Sequence, residues 1–61
     1  AVDAAFYETV IEHHREGVRM AGEHLPHLTN AEVRRMAEQM REDQQREIGE
    51  LRQKLAARTA G

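Results

Sequence analysis

GEHLPHLTNAE, Gly22 to Glu32, decides the fold of this chain. Pro26 lies at its centre and is the only proline among the 61 residues. A proline inside a helical pattern clashes with the preceding turn and ends the helix just upstream. The first helix therefore stops near His24. Three residues after Pro26, Thr29 and Glu32 have the T-x-x-E spacing of a capping box. Leu28 and Val33 stand at the two staple positions around it. A second helix therefore starts at Thr29.

The pattern spreads outward from this break. Upstream, Asp3 is a suitable N-cap. Phe6, Val10, Gly17, Ala21 and Leu25 then recur at helical spacing, and Tyr7, Ile11 and Val18 widen the stripe. Downstream, Val33, Met36, Ala37, Met40, Ile48, Leu51 and Leu55 form the corresponding stripe. Arg58 and Gly61 suit a helix C-terminal end. No strand alternation, repeat or linker interrupts this, so the chain reads as one all-α domain over residues 1–61, an antiparallel helical hairpin. Its opening on Ala1 is compatible with a processed protein or a piece of a longer one.

Size makes such a hairpin marginal by itself. A chain this short buries only ~60% of its unfolded surface, and small domains lean on disulfides, metals or partners. There is no cysteine, so disulfides and thiolate metal sites are excluded. With a connection of about four residues turning near His27, residue numbers facing each other across the hairpin should total about 55. The second helix then overhangs by about two turns around Leu51 and Leu55. An overhanging apolar stripe needs cover, and two helices shield only one side of each other. The expected assembly is a homodimer forming a four-helix bundle.

Composition removes other classes. The net charge is −2, with 9 basic and 11 acidic residues, and aromatics are 3%. Neither the field nor the stacking surface for nucleic acid is present. No apolar run approaches the roughly 18 residues of a membrane span. There is no serine, so a serine triad is excluded. Neither Glu-x-x-His nor HExxH occurs, and no phosphate-binding glycine loop does. No enzyme activity is expected.

What stands out is polar chemistry on the apolar faces. On a wheel at ~100° per residue, His14 falls inside the first stripe. His13, Met20 and His24 share one of its edges. On the second helix Gln44 falls mid-stripe and Glu47 at its edge. An unpaired buried polar group costs ~1–3 kcal/mol, so this layer must be satisfied. Either His14 donates to Gln44 or Glu47 and fixes the helix register, or the layer holds a metal. Imidazole is the commonest metal ligand, and thioethers select soft ions such as Cu(I). Adjacent His13 and His14 point ~100° apart, so they need further ligands from a facing helix. Met36 and Met40 fit core gap-filling better than ligation. His24 and His27 flank the turn and suit solvent.

The order Phe6, His13-His14, Met20-Ala21, Gln44, Glu47-Ile48, Leu51 and Leu55, with HHREGVRMA and QQREIGELRQKL as its two signatures, resembles the family catalogued as domain of unknown function 305. The resemblance runs from about Asp3 to Leu55. It implies a ferritin-like helical fold, export in bacteria for many members, and for some a link to copper through His and Met. His13, His14 and Met20 match the first signature, and Gln44 and Glu47 the second. The family commonly has Met-Ile-Pro before the paired histidines; this chain has Val10-Ile11-Glu12 there and lacks that thioether.

Overall fold

The computed structural model describes residues 2–60, with side chains through Arg58. Helix α1 runs Val2–His24 and helix α2 runs Ala31–Ala60. The two pack against each other as an antiparallel hairpin, 47 × 14 × 12 Å overall. Among the described residues there is no strand, and no helix is long and apolar enough to cross a membrane.

Pro26 acts as expected: α1 ends at His24, and the chain tightens into a single 3₁₀ turn, Leu25–His27, with the proline in its first positions. Leu28 N–H closes the turn on the Leu25 carbonyl at 3.2 Å, and Leu28 itself is extended. The second helix starts differently from expectation. Asn30, not Thr29, caps α2: its Oδ1 accepts from the Glu32 and Val33 amides at 2.9 and 3.0 Å. One side-chain carbonyl thus satisfies two of the four orphan donors of a helix start, and asparagine is the stronger capping residue. Asp3 does not cap α1 either. It lies in the first turn of a helix that is already under way at Val2.

The 3₁₀ turn and the three residues after it make the connection six residues long. That changes the register. Facing pairs are Asp3 with Arg58, His14 with Glu47 and Gly17 with Gln44, and the numbers in each pair total 61, not about 55. The helices therefore finish flush at the open end. Leu51 and Leu55 are partly buried within the hairpin and do not overhang it. The extra length of α2 is spent at the loop end instead, alongside the turn.

The seam follows heptad spacing. Ala4, Tyr7, Ile11, His14, Val18 and Ala21 on α1, continued by Leu25 in the turn, are shielded positions three and four residues apart in alternation. This is the 3.5-residue repeat that keeps one stripe facing a neighbouring helix. Phe6, assigned to the buried stripe above, lies one position round from Tyr7 and is 64% exposed. The core is thin: only Ile11, at 8%, and Ala21, at 4%, are buried among the described residues.

Candidate functional site

His14 sits mid-seam on α1 and is held at both ring nitrogens. Nδ1 lies 2.9 Å from the Val10 carbonyl one turn back. Nε2 lies 2.6 Å from Glu47 Oε2 on α2. A backbone carbonyl can only accept, and so can an ionised carboxylate. Both contacts are satisfied together only when both ring nitrogens carry protons, or when Glu47 carries one. The contact is short, and it ties the two helices at a single register.

One turn towards the loop, Gln44 crosses over Gly17. A Cβ at Gly17 would lie 2.9 Å from Gln44 Cδ and 3.0 Å from its Nε2, and closer still to Oε1. With any larger residue at position 17 the carboxamide, the far end of a flexible side chain, would have to move. The Oε1 atom is buried without a hydrogen-bond partner. His14 thus meets Glu47, while Gln44 packs one turn away against Gly17.

His13 and Met20 do not join that layer. Both are exposed, and they line a shallow depression on one flank of the hairpin with Glu16, Gly17, Arg19 and Glu23. A second depression, lined by Met36, Met40, Asp43, Gln44 and Glu47, adjoins it across the Gly17–Gln44 crossing. All three methionines therefore lie on one flank, 51%, 66% and 40% exposed for Met20, Met36 and Met40. Met36 and Met40 do not fill the core. They are left outside because the seam uses Ala37, Gln44, Ile48, Leu51 and Leu55.

The donor chemistry available to a metal follows from this. Among the described residues no three His, Cys, Asp or Glu side chains are grouped to hold an ion. The residues therefore do not fit a hard or borderline centre of imidazoles and carboxylates.

At the open end the sequence reading missed a clasp. Arg58 donates to Asp3 Oδ2 at 2.8 Å and lies over the Tyr7 ring, 5.4 Å from its centre. Tyr7 first, and Asp3 second, raise the Arg58 pKa above its ordinary value. Correct register would have revealed this clasp, since it depends on the pairing of positions 3 and 58.

The family model described as Domain of unknown function (DUF305) matches residues 1–55, and the chain belongs to that family. No curated protein and no solved structure matches it.

Proposed function

We propose that this member of the DUF305 family is a non-enzymatic metal-binding module that acts as a homodimer and takes a soft ion, Cu(I), on its methionine-bearing flank. The observation that carries this reading is the exposure of every methionine on the flank that also presents His13. An unbranched apolar side chain gains nothing from standing in water, and here the core does not use it. Thioether sulfur and neutral imidazole are the donor types that select Cu(I) over harder ions. His13 and Met20 would hold the ion, with Met36 or Met40 as further thioethers. The ion would supply no reaction here; the chain's part is to bind it and keep competing hard ions out.

His14, Gln44 and Glu47 have a different part in this reading. The 2.6 Å His14–Glu47 contact favours a register device over a ligand set. Both imidazole nitrogens are already engaged, so a metal at His14 would have to break the hairpin's own tie.

The test is a Cu(I) titration of metal-free protein against a competing chelator. Wild type should bind at micromolar free Cu(I) or below, with a rise in melting temperature. His13→Ala and Met20→Leu should each weaken binding at least ~10-fold, which is about 1.4 kcal/mol. Binding unchanged in both variants, or absent in wild type, would overturn the reading.

A further inference from the structure

We infer that the flank carrying Phe6, Met20, Met36 and Met40 is the seat of a second copy of this chain, in a two-fold contact that needs no metal. This deepens the homodimer reading above by naming its face, and it does not depend on copper binding.

Surface area supplies the first argument. The chain exposes 4773 Å². A compact monomer of 7.0 kDa exposes roughly 4,000 Å². The excess is thus roughly 700 Å², close to the ~800 Å² that each partner covers in a standard interface. A single rod of two helices cannot remove that excess, but a second rod laid along it can.

Helix periodicity points to where. Each helix carries a second seam beside the one used in the hairpin. On α1 it is Phe6, His13 and Met20, seven residues apart, with Val10 and Gly17 between them. On α2 it is Val33, Met40 and Glu47, also seven apart, flanked by Met36. Seven-residue spacing is what lets a stripe follow a neighbouring helix along its length. Both second seams lie on the same flank, because the two depressions meet at Gly17 and Gln44.

Charge then chooses between the flanks. On the opposite flank Arg15, Arg19 and Arg52 surround Val18 and Ile48, Arg15 and Arg19 being paired with Glu12 and Glu23 and Arg19 bordering both flanks. A two-fold contact sets a patch against itself, so pairing that flank would bring like guanidinium groups together. On the methionine flank most charges are paired within the chain: Glu47 is held by His14, Asp43 accepts from Arg46 and Gln39 at 3.2 and 2.9 Å, and Arg19 reaches Glu23 at 3.0 Å, with Glu16 beside them. What remains to meet a second copy is thioether, phenyl and imidazole surface, with Glu16 and the Arg19–Glu23 pair at its edge.

The experiment is sedimentation equilibrium on the metal-free chain with excess chelator, read with helical circular dichroism. Wild type should sediment at twice the 7.0 kDa chain mass and dissociate on dilution. Met36→Glu with Met40→Glu should give the monomer mass, and Arg15→Glu should stay dimeric. Because the glutamate variant could simply unfold, a spin label is placed in parallel at an introduced cysteine, in a chain with no native one. The label should lose mobility on concentration at Met40→Cys but not at Gln45→Cys. A monomer at millimolar concentration, association that requires metal, or immobilisation at position 45 instead of 40 would overturn the inference. Dimerisation without copper binding would sink only the metal reading, and copper binding by a lasting monomer would sink the homodimer and its face while leaving the metal reading.

Discussion

Gly17 and Gln44 meet across the hairpin seam: the Gln44 carboxamide lies where a Cβ at Gly17 would stand. This gives a prediction that depends on background. Alanine exceeds glycine in helix propensity by about 1 kcal/mol. In the wild-type background Gly17→Ala must push aside the carboxamide, the far end of a flexible side chain, and this should offset much of the propensity gain, for a net change of about 0 kcal/mol. In a Gln44→Ala background the obstruction is gone and the buried oxygen without a partner with it. There the same substitution should stabilise by about 1 kcal/mol. A double-mutant cycle by chemical unfolding checks this; identical effects in both backgrounds would contradict it.

The His14–Glu47 tie should behave as structure. His14→Ala is expected to cost about 1 kcal/mol, the scale of a partly exposed ion pair, with metal present or absent. Glu47→Gln should retain most of the register, because an amide can donate to or accept from a neutral ring. Melting curves with and without chelator separate the outcomes. A loss seen only when metal is present would return His14 to the ligand set.

Arg58 should tether the open end without setting overall stability. Its guanidinium is exposed, and its raised pKa keeps it charged at any ordinary pH. A group raised in the folded state contributes its stabilisation fully below its unfolded value. That contribution is lost only as pH climbs through the folded one. The clasp should therefore respond to salt rather than to moderate alkali. Hydrogen exchange should show Arg58→Ala fraying the first turn of α1 while the centre of the seam stays protected.

Ile11 is the larger liability. It is one of two buried residues in a thin core. Ile11→Ala should cost about 2–3 kcal/mol and erode the cooperative melt, whereas Met36→Leu, at an exposed site, should change the metal-free melting temperature little.

Much of this hairpin was legible in the residues. Pro26 placed the break, because its ring geometry acts locally. His14 was read towards Gln44 or Glu47, because only one face of α1 could meet α2. Register was not legible. It depends on how many residues the turn consumes, and that was decided by a 3₁₀ turn and by Asn30 capping one position after Thr29. Nor could a wheel tell which of two neighbouring heptad seams the hairpin would use. Phe6 and Met40 fit either, and packing left them on the outer one.

The Asp3–Arg58 contact joins residues 55 positions apart, so the chain enters and leaves the rod at one pole. The turn, with His24 and His27, forms the other pole at the far end of a 47 Å body. Such a rod can be grafted by both ends into a surface loop of another protein without a long linker. There it would stand away from its host like a post, carrying its methionine flank along the side.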